Sequence, residues 1–439
     1  FKILKKALGN SIMLEKEGWI EETGGTLRSD LVGLHDFDDG TGRGMIALQD
    51  IKKGTVLVEA PHSALVSSAN VLKLGSKKFQ QAMKLIKQRV SETDLMAIFL
   101  MWARCDENKK HLSSKFQKYM EMLPAVQEGP SALEQSMFWD EDQLDLLKGT
   151  DSYMIAIQLK AQVREDFGVL LKDVFLKFPK IFPLDTLKYT YKEYKWALGI
   201  IWSRGMDFGS NKDTSFRAIV PYADMFNTDF EGPVTHYYVT NKKVAHVVAK
   251  QDFSKGEQVF INYTPTTNTR LLQVYGFARR PPCNAKNEHI QLWATMDEKA
   301  PIFEDASKVI ASLLGINPNK EPFLLKESDP LPNSLLIALH AQRAKPLPIG
   351  TQKPDLEILN QLQTALEERK AKFVNDRMTD LQLLIKPDSL TPRETIALYI
   401  RVTESRILDK TTRLLESMID SLQVNSKVET KVSQLDLMD

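Results

Sequence analysis

The sequence predicts an α+β fold: a β-rich core interrupted by a helical insert and followed by a mainly helical C-terminal lobe. Three observations carry this reading. Strand-like runs bounded by turn residues occupy about 31–66 and return within 204–283. Between them, over 67–203, apolar residues recur at helical spacing, and the same spacing resumes over 284–439. Two strand-rich blocks flanking a helical one describe a single β domain opened by an insertion. Residues 1–30 are expected to form an N-terminal helical segment.

In the first strand block, Gly42 to Ala47 and Thr55 to Val58 flank the polar run Asp50-Ile51-Lys52-Lys53-Gly54, a hairpin-like pattern. In the insert, Ser91-Glu92-Thr93-Asp94 places a cap and an acidic first turn ahead of the apolar run Leu95 to Trp102. Trp139, Leu144 and Leu147 fit a short amphipathic helix ended by Gly149. In the second strand block, Val244 to Ala249 and Val259 to Tyr263 are bounded by Asn241-Lys242-Lys243 and Ser254-Lys255-Gly256-Glu257, both turn chemistry. In the lobe, Thr391-Pro392-Arg393-Glu394 is a capping box with proline at the first helical position. Ile396, Ile400, Ile407, Leu414 and Met418 then form the stripe of a long helix, and defined structure is expected to end near Asn425.

Composition narrows the function classes. A formal charge of +1 gives no basic field, so no nucleic-acid partner is indicated. The two cysteines, Cys105 and Cys283, cannot build a disulfide framework or a thiolate zinc site, and the seven histidines show no ligand spacing; no metal is expected. No apolar run is long enough to span a bilayer, and no signal-peptide core opens the chain. An intracellular place, cytoplasmic or nuclear, is expected. The chain starts at Phe1, which leaves a plastid open if a segment lies upstream.

The chemistry-bearing residues gather in the strand blocks. Gly42-Arg43-Gly44 opens the first, and no helix is expected after it, against a dinucleotide-binding turn. Ala223-Asp224-Met225-Phe226-Asn227, Gly256-Glu257-Gln258-Val259-Phe260-Ile261-Asn262-Tyr263 and Tyr275-Gly276-Phe277 follow in order, preceded by Ser203-Arg204; Phe138-Trp139 opens an acidic helix ending at Lys148-Gly149. In order and spacing these pieces resemble the SET-domain methyltransferases of the Rubisco large-subunit methyltransferase type, from about residue 30 to the C-terminal helices.

The resemblance implies a SET core, a C-terminal substrate-binding-like lobe in place of a zinc-bound closure, and S-adenosyl-L-methionine as donor, released as S-adenosyl-L-homocysteine. Such chemistry suits these residue types. A lysine with a reference pKa of about 10.4 attacks only as the neutral amine, which a desolvated channel and a nearby sulfonium both favour. Catalysis is then positioning and electrostatics, without a strong base.

By resemblance, Tyr263 is the catalytic tyrosine, also touching the donor, and Tyr275 lines the lysine channel. Taken alone, each reads as a buried aromatic with a satisfied hydroxyl, and it is the flanking pattern that turns the reading. Gly42, Arg43 and Gly44 let the backbone approach the donor, Arg204 pairs with its carboxylate, and Asn227 holds it. Thr228 stands where the family usually has histidine. Asp224 faces or braces the substrate channel, and Tyr238, or Tyr237 beside it, forms a wall. Ile261, aliphatic and two residues before Tyr263, leaves room for di- or trimethylation.

The expected activity is therefore methylation of a lysine in a protein bound through the SET cleft and C-terminal lobe, by a monomer. A histidine N-methyltransferase of the same fold and an inactive SET-like scaffold are the alternatives; Tyr275 argues against the first.

Overall fold

The computed structural model describes residues 11–12, 18–37, 41–125, 133–209, 215–229, 232, 234–293, 308, 311–312, 317, 319–341, 356–386 and 389–435. The chain divides into two compact units, residues 1–133 with 160–265 and residues 134–159 with 266–439. Residues 134–159, which lie within the 67–203 insert of the sequence reading, fall in the second unit.

Among the described residues the first unit holds ten strands: β1 (Ser11–Ile12), β2 (Thr26–Leu27), β3 (Val32–Phe37), β4 (Gly42–Ala47), β5 (Val56–Pro61), β6 (Val66–Ser67), β7 (Gly205–Phe208), β8 (Phe216–Ile219), β9 (Val234–Val239) and β10 (Val244–Ala249). They form three antiparallel sheets in the orders β1-β3-β4, β2-β5-β10-β9 and β6-β8-β7. Strands from both sides of the insert share sheets: β5 pairs with β10, and β6 with β8. The expected hairpin of β4 with β5 does not form, because β4 pairs with β3 and β5 with β2 and β10. The turn between them is tied to the distant 249–253 segment instead, with Gly54 N–H to Ala249 C=O at 2.8 Å and Ile51 N–H to Phe253 C=O at 2.8 Å. Of the N-terminal segment, the described residues show only the short helix Trp19–Glu22 among these strands.

The helix Glu92–Ala103 starts as expected. Ser91 Oγ accepts the Asp94 N–H at 3.0 Å, and the Asp94 carboxylate accepts the Ser91 N–H. Every residue from Leu95 to Ala103 is buried, so this is a core helix apolar all round. Phe79 stacks on Trp102 with ring centroids 4.3 Å apart, and Phe99 and Phe182 pack beside them.

Among the described residues the second unit is mainly helical, with one antiparallel strand pair, β11 (His289–Leu292) and β12 (Phe323–Lys326). Trp139, Leu144 and Leu147 pack with Leu272, Ile396 and Ile400 in one buried cluster. The helix Glu141–Asp145 is capped by Asp140, whose Oδ1 accepts the Gln143 N–H at 2.8 Å. The helix stops at Asp145, earlier than the expected end at Gly149, which follows in a turn at φ +86° where a side chain would strike Phe373. The long helix Pro392–Leu435 begins at the predicted box, Thr391 N–H donating to Glu394 Oε2 at 2.8 Å, and runs past Asn425. Ile396, Ile400 and Ile407 are buried, but Leu414 is 38% exposed and Leu408, Leu415 and Ile419 take the interior positions. Among the described residues no helix is long and apolar enough to cross a membrane.

Candidate active site

Residues 256–263 cross the first unit without forming a regular strand. Their first half lies on β4: Gly256 N–H to Ala47 C=O, Ala47 N–H to Glu257 C=O and Val259 N–H to Met45 C=O are each 2.8 Å. Their second half lies on 227–228 and the start of β9, with Ile261 N–H to Asn227 C=O at 2.9 Å and Asn262 N–H to Val234 C=O at 3.1 Å. Thr228 and Val234 both bridge Ile261 in parallel sense. Ile261 is buried by this crossing. Tyr263, half-buried, is held at two points: its hydroxyl donates to Phe226 C=O at 3.2 Å, and its N–H donates to Thr228 Oγ1 at 3.0 Å.

The glycines and Asn227 meet beside this crossing. Asn227 Nδ2 donates to Gln258 Oε1 at 2.9 Å and to Thr41 C=O at 3.2 Å. A Cβ on Gly44 would fall 2.4 Å from Asn227 Nδ2 and 2.7 Å from Gln258 Oε1, so any side chain there would have to displace these two amides. Gly42 starts β4 at φ +69°. Arg43 Nη2 donates to Met122 C=O. Burial, then repulsion from Arg204, pushes the Arg43 guanidinium below its ordinary value.

Arg204 ends the helix Tyr191–Arg204, and Asp224 sits in the short turn Ala223–Met225. The residue ahead of that turn, Tyr222, has φ +69° and ψ −34°, a strained conformation for a residue with a side chain. Arg204 Nη1 donates to Asp224 Oδ2 at 2.9 Å and to Asp224 C=O at 3.0 Å, and Tyr119 donates its hydroxyl to the same Oδ2 at 2.9 Å. The guanidinium that the resemblance assigns to a donor carboxylate thus already engages a carboxylate of the chain. Burial pushes the Asp224 carboxyl up, against the pull of Arg204 and Tyr119. Burial opposes the Arg204 cation, but the Asp224 charge, Tyr119 and the hydrogen bond to Asp224 together outweigh it, and the guanidinium keeps its proton. Two atoms of this cluster, Arg204 Nε and Asp224 Oδ1, are buried with no hydrogen-bond partner. Such orphans mark a place where a polar group is missing.

Tyr237 and Tyr238 face opposite ways, as neighbours on a strand must. The Tyr238 hydroxyl lies 3.1 Å from His62 Nδ1 and its ring stands edge-on to Phe216 at 5.1 Å. Tyr237 is exposed, 3.4 Å from His246 Nδ1. Tyr275 belongs to the second unit, where it caps the helix Asn268–Val274 with its ring 6.1 Å from Phe277. The structure therefore gathers Gly44 with Asn227, Arg204 with Asp224, and Thr228 and Ile261 with the Tyr263 segment. Tyr119, Gln258 and the Phe226 carbonyl were not singled out in the sequence. Gln258 could have been, since it lies inside the quoted segment. Tyr119 reads only as the apolar face of the helix Ser114–Met122. Among the described residues no three His, Cys, Asp or Glu side chains come together as a metal-ligand group.

An α+β core carrying a doubly held tyrosine and a buried ion pair is the framework of a SET-type methyltransferase. Residues 42–264 match the SET domain family, and the chain belongs to it. A fructose-bisphosphate aldolase lysine N-methyltransferase, chloroplastic, from Arabidopsis thaliana is 24% identical over 399 residues, 84% of this chain and 76% of that one. An actin-histidine N-methyltransferase from Rhinolophus ferrumequinum is 24% identical over 448 residues, 93% of this chain and 70% of that one. The fold is also that of Rubisco LSMT bound to AdoMet, with TM-score 0.73 at 20% identity over 92% of this chain and 91% of that one.

Proposed function

We propose that this chain transfers methyl groups from S-adenosylmethionine to a lysine side chain of a protein, adding two or three. The observation that carries the reading is the Tyr263 hydroxyl, fixed on the Phe226 carbonyl 3.2 Å away with its own main chain tied to Thr228. A phenol and a carbonyl held together in this way can orient an amine without a strong base.

The residues present suit the donor. Its amino-acid end carries a carboxylate, and the cluster offers one unpartnered buried N–H, on Arg204. Gly42, Arg43, Gly44, Asn227 and, through its main chain, Thr228 form the rest of the donor side in this reading, with the bare Gly44 backbone against Asn227. When bound, the donor supplies an electrophilic methyl on a sulfonium. Asp224, Tyr238 and Ile261 are assigned to the lysine side; the part of Tyr275 rests on its motif. The protein substrate is assigned to the C-terminal lobe, whose helix Arg377–Ile385 exposes Met378 and Ile385.

Lysine is favoured over histidine by Tyr275. The histidine reading is kept because an actin-histidine N-methyltransferase aligns over 93% of the chain. Calorimetry with S-adenosylmethionine, paired with transfer of labelled methyl to proteins of a cell extract, tests the proposal. Measurable donor affinity is expected, and Tyr263→Phe should lose about a hundredfold in transfer. An unbound donor, or a fully active Tyr263→Phe, would contradict it.

A further inference from the structure

We infer that Thr228 is the positioning residue of Tyr263, an inference that rests on the reading of Tyr263 as the transfer-site tyrosine. Three consecutive residues grip the Tyr263 segment. Phe226 C=O accepts its hydroxyl at 3.2 Å, Asn227 C=O accepts the Ile261 N–H at 2.9 Å, and Thr228 Oγ1 accepts the Tyr263 N–H at 3.0 Å. The first and last of these bonds fix opposite ends of one residue, its ring tip and its main chain. A ring attached at both ends cannot tilt without breaking one bond.

Beyond Tyr263, Thr264 and Pro265 are exposed, and proline has no N–H to pair. The Tyr263 main chain is tied by the Thr228 side chain. Threonine suits this because branching at Cβ restricts χ1, so the hydroxyl direction is set by the backbone. Valine has nearly the same shape and cannot accept a hydrogen bond, whereas serine keeps the acceptor. The substitution at the position where the resemblance expects histidine thus becomes intelligible: a short hydroxyl reaches the main chain of the tyrosine directly.

The consequence is a division of labour. Losing the hydroxyl leaves the Thr228 main chain, the part assigned to the donor, in place; it should free the Tyr263 amide and let the ring drift from the Phe226 carbonyl, slowing transfer while leaving donor affinity largely intact. The test uses the full chain as wild type, T228V, T228S and Tyr263→Phe. Amide hydrogen exchange at Tyr263, calorimetry with S-adenosylmethionine, and labelled-methyl transfer to extract proteins at saturating donor are each measured. In T228V the Tyr263 amide should exchange about tenfold faster and transfer should fall about tenfold, with donor affinity shifting less than about threefold. T228S should recover most of both losses. Unchanged exchange in T228V overturns the inference, as does a donor affinity that falls in step with transfer. If T228V does not fold, T228A against T228S gives the same contrast. Tyr263→Phe separates the two levels: full activity there defeats the reading of the site, whereas an inactive Tyr263→Phe beside an unslowed T228V defeats only the role of Thr228.

Discussion

Glu288 shows how far one residue's surroundings can move its chemistry. Its side chain is 4% exposed, with Oε1 accepting the Asn268 N–H at 2.8 Å and the Asn284 amide. Burial outweighs both bonds and pushes its carboxyl up to about 7. The folded chain therefore keeps a proton that the unfolded chain releases in the ordinary glutamate range. The stability this proton contributes is fully present at low pH and is lost as pH rises through about 4.5 to 7, a change of about 3 kcal/mol at most. Denaturant unfolding should show Glu288→Gln gaining stability over wild type more at pH 8 than at pH 5; an equal difference at both would refute it. At this scale the sequence is an uneven guide. Tyr263, Asn227 and Thr228 stand in short recognisable segments and could be read. Tyr119 could not, since its bond to Asp224 joins residues 105 apart in sequence and nothing local distinguishes it from a core tyrosine.

Among elements, what is local was legible and what is long-range was not. The boxes at Ser91–Asp94 and Thr391–Glu394 open their helices where the sequence puts them, because the bonds span three residues. The β4–β5 hairpin failed because partner choice depends on strands more than 180 residues away, as in the β5–β10 pairing. The Leu414 position failed more gently. Sevenfold spacing drifts about 20° per heptad on a straight helix, enough to turn Leu414 outward after Ile400 and Ile407. Elements of the second unit are further joined by Arg369. Its guanidinium donates to Asp151 Oδ1 at 2.8 Å, Glu404 Oε2 at 2.9 Å, Gly149 C=O at 3.0 Å and Gln291 C=O at 3.0 Å. Burial and the Asp151 charge push the Glu404 carboxyl well up, and Arg369 is the cation that opposes them. Arg369→Met should therefore cost about 3–5 kcal/mol in denaturant unfolding, because it leaves two acids uncompensated. A loss below about 1 kcal/mol would show that the acids find other partners.

For the whole molecule, the order of motifs mattered more than any one of them. Gly42-Arg43-Gly44, Asp224 to Asn227 and Gly256 to Tyr263 are far apart in the chain, yet the first unit brings them into contact through Gly44, Asn227 and the crossing segment. The insert that separates them leaves the sheets intact, since strands before and after it pair directly. That explains why the fold class could be read while the unit to which residues 134–159 belong could not. Relatives named for lysine and for histidine methylation are both 24% identical to this chain, so the acceptor is what most needs measuring. The direct test is incubation of the chain with isotopically labelled S-adenosylmethionine and a cell extract, followed by mass spectrometry of the labelled residue. Labelled di- or trimethyl-lysine, absent with Tyr263→Phe, is the expected result; label on histidine, or no label above the variant, would contradict the lysine assignment.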